Sequence, residues 1–255
     1  KFEGAYHGID DPAMVSYVPS VNESLGPEVR PNSVLSSEGL APGTAESVVV
    51  MPFNDVENTE AIIRENRAAL AAVIIDPLST AAGLTLPRPE FLQMLRDVTT
   101  ELGIILIFDE IVSFRLSSGG TQGAFGIRPD LTCVAKVVAG GTAGGAFGGR
   151  ADVMTLYDPT NGAPAIAQSG TYNGNPIAAI AGLAALREMT EPAYRQMNDL
   201  TRDLGIELEK AFRTAGVNAC VVVAGSIFRI YFLSEPPVNY RQAAQDSKEK
   251  HRWFQ

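Results

Sequence analysis

The feature that most constrains the fold is an alternation along the chain of short apolar runs, rich in β-branched residues, with longer helical patterns. This alternation is typical of βαβ units, in which helices connect and cover the strands of a mostly parallel sheet. Strands are predicted at residues 48–52, 72–76, 104–109, 131–136 and 146–149. The predicted fold class is therefore α/β.

Two helices are predicted between the first three strands. The first covers residues 57–69 and follows a cap signal at Asn54 and Asp55. The second covers Pro89–Leu102, because its apolar residues recur on one face of a helix. Those residues are Phe91, Leu92, Leu95, Val98 and Leu102. A further helical region, with an Ala-rich stretch whose small residues indicate close packing, is predicted from residue 175 to about residue 215.

The length of 255 residues lies at the upper end of what one domain usually holds, so one large domain and part of a second are expected. The stretch "ACVVVAGSIFRIYFL" predicts two strands around a turn at Ala224 and Gly225. We therefore assign residues 1–215 to a large domain and residues 216–255 to the start of a smaller one. The final "DSKEKHRWFQ" is predicted to be a charged helix.

The charge of the chain favours small-molecule chemistry. A net charge of −9 and a pI near 4.8 argue against nucleic acids and membranes as partners, because both are anionic. Cys133 and Cys220 each lie in an apolar run and are predicted to be buried thiols, which fits a reducing cytoplasm. His7 and His251 are too far apart and too few for a metal site or a catalytic triad, so a structural role is expected for each.

Polar residues end three of the predicted strands: Asp76, the pair Asp109 and Glu110, and Lys136. Ligands bind at the carboxyl ends of strands in open α/β sheets, so these residues are the candidates for chemistry. Taken singly, each has a simple alternative. The carboxylate could cap a helix, and the lysine could lie along apolar surface with its amine in water.

Together, the lysine and the carboxylate suit pyridoxal phosphate. A lysine amine among apolar neighbours can form a Schiff base with an aldehyde cofactor. That cofactor withdraws electrons only while its ring nitrogen stays protonated, which a carboxylate fixed beneath the nitrogen ensures. Asp109 could be that carboxylate, with Glu110 turned the other way by strand alternation.

Several motifs in order carry a family resemblance. They are "LIFDEIVSFR", "GGTQGAFGIRPDLTCVAKVVAGGTAGGAFGGRADVM" and "SGTYNGNPIAAIAGLAAL", preceded by "KFEGAYHGIDD" and "AAVIIDPLSTAAGLTLPRPEFLQMLRDVTTELG". Over nearly its whole length the chain resembles the class III aminotransferases of fold type I, and within them the glutamate-1-semialdehyde aminomutase-like branch. The resemblance implies a three-layer α/β/α large domain and part of a small α+β domain.

The resemblance also implies roles for individual residues. Lys136 would be the Schiff-base lysine, and Asp109 would be the partner of the pyridine nitrogen. Ile111 would pack on one face of the cofactor ring, and Tyr6 would stack against the other. Thr171 would donate its hydroxyl and its backbone N–H to the cofactor phosphate of the neighbouring subunit, because in this family the site forms across a homodimer.

The same resemblance implies that the chain is an internal fragment. Family members carry an N-terminal segment with a Gly-Ser-Gly-like phosphate loop and a C-terminal portion that completes the small domain. The expected enzyme is an aminotransferase acting on an amino donor and a keto acceptor. Two alternatives stay open: an intramolecular glutamate-1-semialdehyde aminomutase, and a non-catalytic binding module that kept the fold. Similarity around "SGTYNGN" points as well to transaminases of β-amino acids.

Overall fold

The computed structural model describes residues 1–160 and 162–254, with only the backbone at residues 253 and 254. Six strands are described, and we label them in chain order. They are β1 (Ala72–Ile75), β2 (Ile105–Asp109), β3 (Leu131–Ala135), β4 (Gly145–Gly149), β5 (Cys220–Ala224) and β6 (Ile227–Tyr231).

Eight α-helices are described in the same residues. They are α1 (Val56–Glu65), α2 (Pro89–Leu102), α3 (Gly120–Phe125), α4 (Ala151–Met154), α5 (Pro176–Glu188), α6 (Glu191–Thr214), α7 (Tyr240–Ala243) and α8 (Lys248–Phe254). Short 3₁₀ helices lie at Asp11–Met14, Glu23–Leu25, Ala45–Ser47, Ser113–Leu116, Lys136–Ala139 and Thr155–Tyr157. Within the described part of the chain, no helix has both the length and the apolar composition needed to cross a bilayer.

The first four strands form one sheet in the order β1-β2-β3-β4. β1 pairs with β2 and β2 with β3 in parallel, whereas β3 and β4 are antiparallel. The prediction of an α/β fold with a mostly parallel sheet is therefore confirmed. Because β1, β2 and β3 run the same way, their carboxyl ends meet at one edge of the sheet.

The strand predicted at residues 48–52 is wrong. This segment forms a single parallel bridge, between Met51 and Phe2. Two backbone hydrogen bonds support the bridge, from Glu3 N to the Met51 carbonyl and from Met51 N to the Lys1 carbonyl. Val50 and Met51 are buried by side-chain packing, so an apolar run indicated burial here rather than a strand.

The first predicted helix begins as expected and ends early. The Asp55 carboxylate accepts a hydrogen bond from the backbone N–H of Asn58 and caps α1. The helix ends at Glu65, and the carbonyl of Asn66 accepts hydrogen bonds from the backbone of Ala69 and Leu70. Residues 66–69 are therefore a turn, not the last helical turn that the apolar pattern predicted.

Helix α2 matches its predicted bounds and supplies much of the main core. Phe91, Leu92 and Leu95 are fully buried, and they belong to one apolar cluster with Leu106 and Phe108 of β2. Gly103 ends the helix in a left-handed conformation with φ +68°, as expected for a glycine after a helix. The core thus lies between the first sheet and the helices that cover it.

The second sheet is the antiparallel hairpin of β5 and β6. Its side chains form a second cluster with Leu78 and Leu84, in the loop after β1. Helix α6 packs on β5 so closely that a Cβ at Gly205 would lie 2.8 Å from the Val223 side chain. The two predicted strands around the Ala224–Gly225 turn are confirmed, and the domain boundary between residues 215 and 216 stays a prediction.

Helices α5 and α6 fill the region predicted to be helical from residue 175 to about residue 215. The predicted close packing of small residues is confirmed where α5 meets the 3₁₀ turn Lys136–Ala139. A Cβ on Gly182 would lie 2.0 Å from the Val138 carbonyl oxygen, and one on Gly140 would lie 2.2 Å from the Ala181 carbonyl oxygen. Only glycines allow this contact, which fixes the turn that begins at Lys136.

Candidate active site

A cavity of about 560 Å³ opens at the carboxyl ends of the parallel strands. This volume lies within the range of about 300–1,000 Å³ typical of small-molecule sites. Its wall combines strand-end residues with residues of the hairpin. The lining residues are Tyr6, Gly8, Asp76, Thr80, Ala81, Leu84, Asp109, Ile111, Val112, Lys136, Ile227, Phe228 and Arg229.

Asp109 is the last residue of β2, and its buried carboxylate is held from two sides. Its Oδ1 accepts a hydrogen bond from the backbone N–H of Ile111 at 3.1 Å. Its Oδ2 lies 2.7 Å from Nδ1 of His7. A carboxylate has about four acceptor positions, so each oxygen can still accept a further donor.

His7 is buried beside Asp109. Burial lowers the pKa of His7, although the neighbouring Asp109 acts to raise it. The neutral imidazole is therefore favoured, and its proton must lie on Nδ1 because the carboxylate can only accept. His7 Nε2 is buried without a hydrogen-bond partner among the described residues. The imidazole thus orients the Asp109 carboxylate by donating to one of its oxygens.

Glu110 follows Asp109 directly but faces away from the cavity, as predicted. It is fully buried. Its Oε2 accepts from the backbone N–H of Thr121 at 2.5 Å, and its Oε1 accepts from the backbone and side-chain N–H groups of Gln122, each at 3.1 Å. Gly120 has φ +65°, and a Cβ there would lie 2.3 Å from Oε2. Glu110 therefore binds the start of α3 and is structural.

Lys136 lies one residue beyond the end of β3, at the start of a 3₁₀ turn rather than on the strand as predicted. Its φ of +53° places it in the left-handed region, which costs a non-glycine residue about 1 kcal/mol or more. The side chain is exposed and lines both the main cavity and an adjoining cavity of about 320 Å³. Such backbone strain clusters at functional sites, where it aims a side chain.

Asp76 follows the end of β1 and lines the same cavity. Its Oδ2 accepts from the backbone N–H of Thr80 at 2.7 Å, and its Oδ1 accepts from the N–H of Leu78 at 3.1 Å. Burial raises the pKa of Asp76 to about 6; the bonds to Thr80 oppose the rise and the nearby Asp109 adds to it. Asp76 thus holds the loop 77–84 against the cavity, and its pKa is raised well above that of an exposed carboxyl group.

Ile111 and Tyr6 both line the cavity. Ile111 lies two residues beyond the end of β2, which ends at Asp109. The hydrogen bond from its N–H to Asp109 folds the chain back and brings the side chain to the cavity wall. Tyr6 is 40% exposed, and its ring lies 4.8 Å from the ring of Tyr17, centroid to centroid.

Comparison with known proteins identifies the family. The model of the aminotransferase class-III family matches residues 1–250. The chain belongs to the class III aminotransferase family. The predicted fold type I is confirmed, because the chain has a mixed, mostly parallel sheet and superposes on solved structures of transaminases.

Three similar proteins illustrate the range of the family. A glutamate-1-semialdehyde 2,1-aminomutase of Desulforudis audaxviator is 37% identical over the whole chain. The crystal structure of an omega-transaminase from Sphaerobacter thermophilus superposes with a TM-score of 0.92, at 40% identity over 99% of the chain. A beta-phenylalanine aminotransferase from Variovorax paradoxus superposes at 0.80, with 31% identity over 96% of the chain. The chain spans 57% of the first two proteins and 52% of the third.

Thr171, the remaining predicted site residue of this class III aminotransferase chain, lies elsewhere. Within the described part of the chain it is exposed, in the turn before α5, and is not part of the cavity wall. The structure thus brings together Lys136, Asp109, Ile111 and Tyr6, and leaves Thr171 outside. Its predicted role toward a neighbouring subunit stays a prediction.

Sequence reasoning assigned no role in the site to three residues of the cavity region. His7 was expected to be structural, and its position next to Tyr6 in "YHG" was the available signal. Asp76 was a strand-end candidate that received no role in the predicted site, and in the structure it directly follows β1. Arg229 was not singled out, although it is the one charged residue of the otherwise apolar strand β6. The prediction for Cys133 is also wrong, because this residue is only half-buried, whereas Cys220 is buried.

Proposed function

We propose that this chain is part of a pyridoxal-phosphate-dependent enzyme that moves an amino group between an amino acid or amine and a keto acid, with Lys136 holding the cofactor. One observation carries the proposal. The strained, exposed Lys136 and the buried, oriented Asp109 line the same cavity at the carboxyl end of a parallel sheet. Both residues were predicted for this role from the sequence.

The residues present fit this cofactor. Lys136 offers an amine to the cavity, and Asp109 offers a carboxylate with acceptor positions left. Ile111 and Tyr6 provide an apolar and an aromatic wall for a planar ring. When bound, pyridoxal phosphate supplies an aldehyde that condenses with amines and a ring that withdraws electrons from the substrate carbon.

The chemistry assigned to this chain's own residues is proton movement and orientation. The amine of Lys136, once free, would remove a proton from the substrate carbon and return it at a neighbouring position, as a general base and then a general acid. Asp109 would accept a hydrogen bond from the pyridine N–H and keep that proton in place. His7 would hold Asp109 through Nδ1, so that the carboxylate does not rotate.

A second candidate is the intramolecular transfer catalysed by aminomutases. The observation that favours it is the 37% identity to a glutamate-1-semialdehyde 2,1-aminomutase. The similar identity to an omega-transaminase, 40%, favours release of a keto product instead. Both reactions would use the same Lys136 and Asp109, so the two differ in whether the product leaves the site.

Two further parts of the proposal concern the whole protein. We propose a homodimer in which Thr171 of one subunit faces the cofactor phosphate of the other, since Thr171 is exposed and lies outside its own cavity. A cytoplasmic location also remains a proposal, based on the acidic composition and the two free thiols.

The test is replacement of Lys136 in the full-length protein. Lys136→Ala is expected to abolish turnover with a change in unfolding free energy below about 0.5 kcal/mol, because the side chain is exposed. Lys136→Arg, which keeps the positive charge but not the primary amine, is the matched control and should be equally inactive. Borohydride reduction followed by peptide mass spectrometry should find the cofactor mass on Lys136. An adduct on another lysine, or turnover by either variant, would overturn the proposal.

A further inference from the structure

Arg229 reaches the cavity because of how the hairpin is anchored. Arg229 and Tyr231 are two residues apart on β6 and therefore share one face of the strand. Tyr231 is fully buried, and its hydroxyl donates a hydrogen bond to the carbonyl of Gly83. This bond fixes that face of β6 to the loop 77–84. Arg229 consequently lines the cavity together with Leu84 and Thr80.

The tip of the hairpin is fixed as well. The Arg115 side chain, in the segment after β2, donates a hydrogen bond from Nε to the hydroxyl of Ser226 at 2.9 Å. The hairpin is thus tied, on both sides of Arg229, to the segments that follow β1 and β2. A side chain held by such a frame can bind a ligand with little loss of backbone freedom.

The guanidinium of Arg229 has no carboxylate partner among the described residues. Its Cζ lies 4.9 Å from the centroid of the Tyr231 ring, a cation–π contact. By contrast, Arg96, Arg150 and Arg241 each form ion pairs with carboxylates. Stacking on an aromatic face occupies the flat side of a guanidinium and leaves its N–H groups free at the edge. Arg229 therefore faces a small-molecule cavity with unused, planar donors.

Planar guanidinium donors match a carboxylate, which they can bind through two parallel hydrogen bonds. The other cation of this cavity wall is Lys136, and under the proposed function its amine is occupied by the cofactor. We infer that Arg229 binds the carboxylate of the substrate, so that this site selects amino acids over amines without an acidic group. This inference rests on the proposed function and adds the substrate class to it.

The test compares donors that differ only in the carboxylate. Three pairs suit the purpose: β-alanine with propylamine, 4-aminobutanoate with butylamine, and 3-amino-3-phenylpropanoate with 1-phenylpropylamine. In each pair, a methyl group replaces the carboxylate. The full-length protein is expected to prefer the amino acid of at least one pair. In Arg229→Gln, kcat/KM for that amino acid should fall about 30-fold or more, while kcat/KM for its amine changes less than about threefold.

Two variants serve as controls. Arg229→Lys keeps the charge without the planar fork and should retain part of the preference. Arg115→Gln removes the other arginine near Lys136, which lines the adjoining cavity and already bonds to Ser226. Because the Tyr231 bond still anchors the hairpin, Arg115→Gln should reduce the preference for the amino acid far less than Arg229→Gln does. If Arg115→Gln rather than Arg229→Gln removes the preference, the carboxylate binds elsewhere and the inference is wrong.

A purely structural role for Arg229 gives a different result. If its stacking on Tyr231 only supports the fold, Arg229→Gln would lower kcat/KM equally for both donors of a pair. That outcome, or a wild-type protein that uses the amines as well as the amino acids in all three pairs, would overturn the inference.

Failure of the proposed function can be told apart from failure of this inference. Borohydride fixation of the cofactor on Lys136 tests the proposed function in both wild type and Arg229→Gln, and should succeed in both. Calorimetric binding of 3-phenylpropanoate, which has the carboxylate but no amine, needs no turnover. Its Kd should be at least about tenfold weaker in Arg229→Gln, and an unchanged Kd would contradict the carboxylate site even in a fully active enzyme.

Discussion

Asp109 and Glu110 are neighbours in the chain, but their carboxylates lie in two different regions of the molecule. Asp109 faces the cavity, where His7 and one backbone N–H hold it. Glu110 faces the other way and receives three N–H groups at the start of α3. Both are buried, so burial and charge do not separate a functional carboxylate from a structural one. The difference lies in the acceptor positions left over and in access to a cavity.

Replacing each carboxylate by its amide tests this comparison, and Asp109→Asn is expected to have the larger effect. A neutral amide cannot hold a protonated pyridine nitrogen, so the proton-transfer step should slow by about 100- to 1,000-fold, the usual cost of losing one electrostatic contact to a reacting group. Single-turnover absorbance changes of the cofactor-loaded protein measure that step. Cofactor binding should persist. A rate equal to that of the wild type would show that Asp109 has no role in the proton-transfer step.

Glu110→Gln should have the opposite profile. The amide nitrogen of glutamine would face the N–H groups of Thr121 and Gln122, so at least one buried donor loses its acceptor. A loss of about 3 kcal/mol in the free energy of unfolding is expected, because hydrogen bonds to a charged group contribute about 1.5–3 kcal/mol each. Urea unfolding measures it. The kcat of the folded fraction should stay within about twofold of wild type, and a large fall in kcat with unchanged stability would contradict this assignment.

Asp76 lies between these two cases, since it both holds a loop and lines the cavity. Its pKa is raised to about 6 by burial, from an ordinary value of 3.8. A carboxyl group whose pKa is raised in the folded state stabilises the fold at pH values below its pKa in the unfolded chain. This contribution is lost as the pH rises through the folded-state pKa of about 6. Relative to Asp76→Asn, the wild-type free energy of unfolding should therefore fall by about 2 kcal/mol from pH 4 to pH 6.

Unfolding curves for both proteins at several pH values measure this difference. The comparison of the two proteins cancels the titration of every other group, provided that those groups lie in unchanged surroundings. A difference that stays constant over this pH range would show that the pKa of Asp76 is not raised in the folded protein.

Parts of the fold that follow from local pattern were predictable. The apolar stripe of Pro89–Leu102 and the β-branched runs of β1 and β2 each determine an element, because burial on one face needs that periodicity. The segment 48–52 has the same composition but no long partner beside it. Strand pairing depends on distant residues, so it could not be deduced from the segment itself.

The candidate site shows the same division. Lys136 and Asp109 were predictable because both end predicted strands and both lie in motifs that resemble those of a known family. His7 lies in residues 1–8 and Arg229 in the second sheet. The sequence shows each as an unusual residue in its segment, but only the folded chain shows that both lie near Asp109 and Lys136. Asp76 carried a signal, its place at a strand end, but its raised pKa depends on burial that only the folded structure shows.

The smallest expected effect concerns Thr171. The comparison here is between residues that one subunit contributes to its own site and a residue that it contributes to the site of its neighbour. If Thr171 serves the neighbouring subunit, a heterodimer of Lys136→Ala and Thr171→Glu has one site with both lesions and one site with neither. Thr171→Glu is chosen because an acidic side chain repels a phosphate. Equal mixing of the two inactive proteins should therefore restore at most about a quarter of the wild-type sites, since about half of the dimers are mixed.

The matched control mixes Lys136→Ala with Asp109→Asn. These two residues line the same cavity of one chain, so a heterodimer has one damaged site of each kind and no activity should return. A pull-down with differently tagged subunits shows in both mixtures that exchange took place. Activity returning in both would mean that complementation does not depend on a shared site. If exchange is shown and activity returns in neither, Thr171 acts in its own subunit, and the exposed turn before α5 contacts no neighbouring cofactor.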